Sequence, residues 1–172
     1  MVQRCRTSRA LRFAGVGLAM VGLVACGDTG PLSSGDAVDA ATYEAVIDRF
    51  MPPPRSSGST QVVYVAGVGG ATLSLDDQVK IIDSFEAEYD VRFVDDFDAA
   101  VDPDLDGAPP RDDGVLIGVG KITDAPPHTV RVEVYVAADE IDAQLVTVVH
   151  QAGVWVIDAV EPVEPEVLVG DE

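Results

Sequence analysis

Residues 130–136 read Val-Arg-Val-Glu-Val-Tyr-Val, and in this stretch valine alternates strictly with a charged or aromatic side chain. Successive side chains of a β-strand point to opposite faces of a sheet, so the alternation predicts a strand with one buried face and one solvated face. A solvated face is typical of an antiparallel sheet, because parallel sheets are covered on both faces. The stretch therefore predicts a strand of an antiparallel sheet.

Short runs of β-branched residues surround this strand and extend the predicted antiparallel sheet to about five to six strands. Gln151, Ala152 and Gly153 provide a tight connection between the last two runs, as in a β-hairpin. The runs lie at residues 61–66, 91–94, 115–119, 145–149 and 154–157.

Two segments with apolar residues at helical spacing predict helices. The first begins near Asp39, a good N-cap residue, and ends at a run of prolines after Phe50. The second begins at Ser74, whose hydroxyl caps the helix while Asp77 is the acidic partner of a capping box. We expect both helices to pack on one face of the sheet, which makes the fold α+β. The predicted apolar faces consist of Tyr43, Val46, Ile47 and Phe50 in the first helix and of Leu75, Val79, Ile82, Phe85 and Tyr89 in the second.

The charge of the chain restricts the class of partner. Its 172 residues are enough for one ordinary domain, and their formal charge is −19. Residues 1–25 hold four arginines and no acid, so the rest of the chain carries −23. Such a charge repels phosphate backbones and anionic lipid head groups. We therefore expect no nucleic-acid partner and no adhesion to a membrane through basic residues.

The first twenty-five residues have the organisation of an export signal, in which arginines precede the apolar stretch 13–25. This stretch ends in Leu23-Val24-Ala25-Cys26, which resembles the lipobox of bacterial lipoproteins. The resemblance implies cleavage between Ala25 and Cys26 and a diacylglyceryl group on the Cys26 thiol. Short stretches such as residues 63–65 and 114–120 also resemble small envelope lipoproteins of high-GC bacteria, a likeness that implies no particular activity.

These features divide the chain into four predicted parts. Residues 1–25 are a lipoprotein signal peptide that is removed, and residues 26–38 are the lipidated cysteine with a flexible Gly/Ser-rich tether. Residues 39–160 form a single α+β domain, and residues 161–172 form an acidic tail that contains proline. The mature protein is expected to be extracytoplasmic and anchored to a membrane by its lipid. The sequence leaves open whether that is an inner or an outer membrane.

An acidic loop carries the densest pattern of candidate metal ligands. With Asp102 as position 1 of a calcium loop, Asp104, Asp106 and Asp113 fall at positions 3, 5 and 12, and a glycine occupies the turn position 6. Three departures separate the loop from an EF-hand: position 12 is not Glu, two prolines stiffen the second half, and no amphipathic helices flank it. The same residues also suit a solvated acidic turn, so calcium is the one candidate cofactor and both interpretations stay open.

No pattern in the sequence predicts a catalytic site. The serines lack a nucleophile-elbow motif, and neither His128 nor His150 has a second ligand at metal-binding spacing. We therefore expect a non-enzymatic binding or structural module of the cell envelope, with a protein or small-molecule partner. Two alternatives are a calcium-binding envelope domain that uses the acidic loop and, because a helix followed by a curved sheet resembles NTF2-like cones, a small-ligand-binding domain or hydrolase.

Overall fold

The computed structural model describes residues 34–55, 60–137 and 140–166, with side chains from residue 39 onward. The predicted signal peptide and its cleavage site at Ala25 and Cys26 lie outside the described residues, as does most of the predicted tether. The last six residues of the predicted tail, 167–172, also lie outside them. The anchoring of the chain therefore stays a prediction.

The described residues form an α+β structure with two helices and a six-stranded mixed sheet. The helices are α1 (Ser34–Phe50) and α2 (Leu75–Phe85); the strands are β1 (Gln61–Gly67), β2 (Tyr89–Val94), β3 (Val115–Val119), β4 (His128–Ala137), β5 (Glu140–Gln151) and β6 (Val154–Pro162). The strand order across the sheet is β2-β1-β3-β4-β5-β6, so β2 and β6 are its two edges. Each predicted run lies within one of these strands.

The prediction of a purely antiparallel sheet is wrong on one side of the sheet. Strands β3 to β6 form the expected antiparallel meander, whereas β1 pairs in parallel with both β2 and β3. The connection from β1 to β2 contains α2, and the connection from β2 to β3, residues 95–114, leads to the other side of β1. Parallel neighbours require long crossovers of this kind, because a tight turn joins only antiparallel strands.

Helix α1 buries the apolar face that the sequence predicts, although it begins earlier. The helix starts at Ser34 instead of near Asp39, and it ends at Phe50, before the prolines. Its predicted apolar residues all belong to, or pack against, one buried cluster: Tyr43, Val46, Ile47 and Phe50.

Helix α2 begins as predicted, but the face that it packs against the core shares only Phe85 with the predicted one. The N-cap Ser74 accepts a hydrogen bond of 3.1 Å from the amide of Asp77, and its hydroxyl donates to the Asp77 carboxylate at 2.6 Å. Asp77 and Ile81 are the buried residues of the helix, whereas Leu75 and Val79 are 77% and 53% exposed. Asp77 and Ile81 are one helical turn apart and share a face, so a helix that buries both turns Leu75 and Val79 away from the core.

Both faces of the sheet are buried at its centre, in contrast to the half-solvated sheet that the alternating stretch predicts. Val130 and Val132 belong to one buried cluster, which also contains residues of both helices, and Tyr135 belongs to a second cluster. The second cluster includes Ala100 and Val101 from the connection between β2 and β3. The crossover therefore covers the face that the sequence predicts to be solvated.

Glu133 lies on the face that the sequence predicts to be solvated, but in the structure it is covered. Its side chain is fully buried, and its Oε1 accepts hydrogen bonds of 2.8 Å from Nε of Arg131 and from the amide of Glu166. Arg131 also donates to the carbonyl oxygen of Glu164. The chain that follows β6 is thus held over this face by hydrogen bonds between its main chain and the Arg131–Glu133 ion pair.

Candidate functional site

A cleft of about 830 Å³ is bordered by α1, the C-terminal end of α2 and the hairpin of β5 and β6. Helix α1 contributes Glu44 and Asp48, and the end of α2 contributes Phe85. Tyr89, the first residue of β2, lines the cleft next to α2, and residues 153–157 line it from the hairpin. The cleft thus receives side chains from both helices and from both edge strands.

The cleft follows the free edge of β6 instead of one face of the sheet. Residues 153–157 all line it, although successive residues of a strand point to opposite faces. A cavity bordered by four consecutive strand residues, 154–157, which point to alternate faces, lies beside the edge of the strand. The other edge of β6 pairs with β5, so the bordering edge is the one without a strand partner among the described residues.

Three aromatic side chains, Phe85, Tyr89 and Trp155, belong to the apolar part of the cleft. The rings of Phe85 and Tyr89 meet edge to face, with centroids 6.3 Å apart. Trp155, half-buried in β6, makes ring contacts with both histidines of the chain, with ring centroids 5.4 Å from His128 and 5.0 Å from His150. Its indole also lines the cleft. The rings offer a polarisable apolar surface for a ligand.

The polar part of the cleft is acidic. Glu44, Asp48 and Glu88 line it, and Arg49 is the one basic residue among the lining residues that the structure describes. The guanidinium of Arg49 lies 5.9 Å from the ring centroid of Phe50. Carboxylates beside aromatic faces attract cations both by charge and by the cation–π interaction. The composition of the cleft therefore favours a cationic ligand with apolar parts.

The Tyr89 hydroxyl serves a structural role in the wall of the cleft. It donates a hydrogen bond of 2.8 Å to the carbonyl oxygen of Pro52, which follows α1. Burial raises the pKa of Tyr89 above its ordinary value, and the carboxylates of Glu88 and Asp48 raise this pKa further. Tyr89 thus stays protonated and remains a donor that ties the start of β2 to the end of α1. The hydroxyl of Ser84 likewise donates to a backbone carbonyl oxygen, that of Lys80, at 3.0 Å.

The four predicted calcium ligands all lie in the connection between β2 and β3. A depression of about 270 Å³ in this loop is lined by Asp102 and Asp113 but not by Asp104 or Asp106. Asp102 uses its Oδ1 to accept a hydrogen bond of 3.2 Å from the amide of Asp104. Among the described residues, no three His, Cys, Asp or Glu side chains are grouped as a metal site requires. Calcium binding by this loop stays a prediction.

Asp112, which the metal hypothesis leaves out, is the carboxylate of this loop with the strongest interactions. It accepts hydrogen bonds from the Tyr64 hydroxyl at 2.9 Å and from Nη1 of Arg92 at 2.6 Å. These two bonds lower the pKa of Asp112. Arg92 also donates to Asp90 of the same strand at 2.6 Å, and its bond to Asp112 joins the loop to β2. This group is an exposed network that fixes the crossover against the sheet.

The sequence contains signals for the cleft that its interpretation as a buried core missed. Phe85 and Tyr89 are four residues apart and were assigned to the helical core; both pack against the buried cluster as predicted, and both also line the cleft. The two-residue turn of Ala152 and Gly153 sets His150 opposite Trp155, a register that follows from the turn length. What the sequence lacks is any sign that α1 and the end of α2 leave an open space beside this hairpin.

Comparisons of the chain with protein-family models, with curated proteins and with solved structures found no match. In the part of the chain that the structure describes, neither helix has the length and apolar character needed to cross a membrane.

Proposed function

We propose that this chain is a lipid-anchored, extracytoplasmic binding module and that its cleft takes a cationic ligand with apolar parts. Membrane attachment is assigned to a diacylglyceryl group on Cys26, and the tether places the folded domain away from the bilayer. The ligand site is the cleft between α1, α2 and β6. The observation that carries the binding role is the convergence of Phe85, Tyr89 and Trp155 with an excess of carboxylates.

The anchoring part of the proposal rests on the sequence and on the energetics of acyl chains. Each buried methylene group contributes about 0.8 kcal/mol, so one acyl chain binds only marginally and two give stable attachment. The negative charge of the chain removes the usual electrostatic contribution to membrane binding. A diacylglyceryl group on Cys26 would meet this requirement without any basic residues.

The binding part of the proposal rests on charge and on ring surface. Glu44, Asp48 and Glu88 outnumber Arg49, so the described residues of the lining carry a net formal charge of −2. A cation held against an aromatic face gains about 0.5–1 kcal/mol at an exposed site and more where water is excluded. The same groups repel an anion of equal size. The cleft should therefore bind a cation more tightly than an anion of equal size.

The hydrogen bonds made by the hydroxyl groups of the cleft favour a binding role over a catalytic one. Ser84 and Tyr89 each donate to a backbone carbonyl oxygen, of Lys80 and Pro52 respectively, instead of to a neighbouring base. A nucleophile requires a base within hydrogen-bond reach, and these two hydroxyls are engaged elsewhere. We further propose that both helices lie on one face of the sheet, because residues of both share a buried cluster with Val63 and Val65. That arrangement leaves the cleft at the end of the helical layer.

The charge preference is tested with two ions of similar shape, benzyltrimethylammonium and benzylsulfonate. We expect the full-length protein in detergent to bind the cation at least about tenfold more tightly, because each carboxylate at about 4 Å contributes about 1 kcal/mol even in water. The double variant Glu44→Gln/Asp48→Asn should bind the cation about tenfold more weakly. Trp155, the one tryptophan of the chain, reports binding by fluorescence, and calorimetry checks it.

The matched control is Asp104→Asn/Asp106→Asn, which removes the same number of charges from the acidic loop and should leave affinity unchanged. Equal binding of the two ions, or equal weakening in both double variants, would contradict a charge-selective cleft.

The anchor is tested by metabolic labelling with an alkyne-tagged palmitate. Cys26→Ser should abolish the label, because the thioether cannot form, whereas Cys5→Ser should keep it, since Cys5 lies in the segment that is removed. Label that persists in Cys26→Ser, or a Cys26→Ser product that is still fully membrane-bound, would refute the anchoring proposal.

Calcium binding by residues 102–113 remains an alternative role for the domain. Its carboxylates could come together around a calcium ion, because the positive charge of the ion offsets the repulsion between them. Equal melting temperatures in millimolar calcium and in chelator would exclude this alternative without affecting the cleft.

A further inference from the structure

We infer that the ligand of this cleft is an extended polypeptide segment of a partner protein, with basic side chains at alternate positions, which adds to the free edge of β6 as a further strand. This inference rests on the proposed binding role of the cleft and specifies the class of its ligand. It follows from three observations. The cleft runs along the edge of β6, only the second half of β6 has features that prevent pairing with a further strand, and the lining of the cleft is acidic.

The course of the cleft places main-chain groups of β6 within reach of a ligand. An edge strand presents a row of N–H and C=O groups that have no strand partner, and an extended peptide can pair with them. The free edge beside residues 154–157 is about 13 Å long at about 3.3 Å per residue. This length accommodates a peptide of four paired residues. A compact small molecule would leave most of these groups unused.

The protection of β6 against pairing is confined to its second half. The pairing register with β5 shifts at Asp158, so the strand carries a bulge there, and Glu161 and Pro162 follow. Bulges, charges and proline are the features that keep edge strands from adding a further strand. None of them occurs in residues 154–157, where Val154 and Val156 are 60% and 39% exposed. The unprotected half is the half that borders the cleft.

The charge of the lining selects the side chains of the partner. A strand on this edge alternates its side chains between the two faces of the sheet, so every second one points toward α1 and the cleft. On that side it meets Glu44, Asp48 and Glu88. Lysine or arginine at alternate positions gives each of these carboxylates a counter-ion, while the aliphatic stems pack on the aromatic rings. A second copy of this chain is a poor occupant, because each copy has a formal charge of −19 and the two repel one another.

The test uses three forms of the heptapeptide acetyl-Lys-Val-Lys-Val-Lys-Val-Lys-amide: unmodified, N-methylated at every valine, and N-methylated at every lysine. The N–H and C=O of alternate residues point to the same edge of a strand, so each modified peptide is blocked on one edge only. We expect the unmodified peptide to bind the full-length protein. One methylated form should bind at least about tenfold more weakly, through lost main-chain hydrogen bonds, and the other within about threefold of the unmodified form.

Amide hydrogen exchange provides a second measurement on the same complexes. The unmodified peptide should slow exchange at alternate amides within residues 154–157 at least about tenfold, because these amides gain hydrogen-bond acceptors. Benzyltrimethylammonium at saturation occupies the cleft without acceptors of this kind, so it should leave these rates nearly unchanged. The small cation thus serves as the control for occupancy without strand addition.

Each other outcome overturns the inference. If both methylated peptides bind like the unmodified one, or if both lose binding, the contact is not made through one edge of a strand. If the unmodified peptide does not bind, or if peptide and small cation protect residues 154–157 equally, strand addition is excluded. Dimerisation of the protein through β6 would assign the edge to a second copy. In all of these cases, tight binding of benzyltrimethylammonium alone would leave the proposed cationic-ligand function in place, so the two proposals fail separately.

Discussion

The two edge strands of the sheet, β2 and β6, differ in what lies beside them. On β2, Arg92 donates to Asp90 in the same strand and to Asp112 in the loop that follows, both at 2.6 Å. On the first half of β6, Val154 and Val156 project into solvent and the main chain borders an aromatic, acidic cleft. One edge therefore carries fixed ion pairs, and the other carries apolar side chains beside a concave surface.

This difference separates a structural edge from one that suits binding. Each strand has one edge without a strand partner among the described residues, and natural proteins commonly cover such edges with charge, bends or neighbouring chain. The ion pairs of β2 add such charges and tie the crossover to the sheet. No described residue gives the first half of β6 a comparable cover, and a cleft beside an accessible edge is the arrangement that peptide-binding domains use for strand addition. Substitutions at each of the two edges test this difference.

The largest expected effect comes from Trp155→Ala at the β6 edge. Removal of a half-buried indole should lower the free energy of unfolding by about 2 kcal/mol, less than for a fully buried ring, and weaken benzyltrimethylammonium binding by at least about tenfold through loss of ring surface. Chemical denaturation measures the first quantity and calorimetry the second. Trp155→Phe, which keeps an aromatic face, should retain most of the affinity. Unchanged affinity in Trp155→Ala would show that the indole does not contribute to ligand binding.

The smaller expected effect comes from Arg92→Gln at the β2 edge. The ion pairs of Arg92 are largely exposed, so their loss should lower the free energy of unfolding by less than about 1 kcal/mol. Affinity for benzyltrimethylammonium should not change, because Arg92 does not line the cleft. A loss of affinity as large as that in Trp155→Ala would mean that the two edges are not independent.

The Arg92→Gln variant also carries a pH signature. Hydrogen bonds from Tyr64 and Arg92 hold the pKa of Asp112 below its ordinary value. A carboxylate with a lowered pKa stabilises the fold above its unfolded pKa, and this stabilisation is lost as pH falls through the folded pKa. The stability difference between the natural protein and Arg92→Gln should therefore shrink as pH falls from about 5 to about 2, below the ordinary range of aspartate. A difference that is constant over this range would contradict the role given to Asp112.

Local signals in the sequence predicted the elements of the fold well. The cap formed by Ser74 and Asp77, the proline stop after Phe50 and the turn at Gly153 depend on neighbouring residues alone, and all three occur in the structure. The α+β class follows from the elements themselves. These predictions succeeded because the interactions that decide them span only a few residues.

The errors concern contacts between residues that are distant in sequence. The parallel pairing of β1 was missed although a helix joins β1 to β2, which is the pattern of a crossover. Glu133 was assigned to solvent because alternation shows which residues share a face but not what covers that face. The cleft was missed for the same reason: the helical spacing of Phe85 correctly predicts contact with the core but does not show that the space between the helices and β6 is open.

The most direct test of the cleft as the ligand site is a map of amide chemical-shift changes during titration with benzyltrimethylammonium. We predict that the largest changes occur at residues 153–157, at the indole N–H of Trp155 and at residues 84–89, whereas residues 102–113 and the amide of Arg92 remain unaffected. Changes centred on the acidic loop, or spread evenly over the acidic surface, would contradict the account and assign cation binding to charge alone.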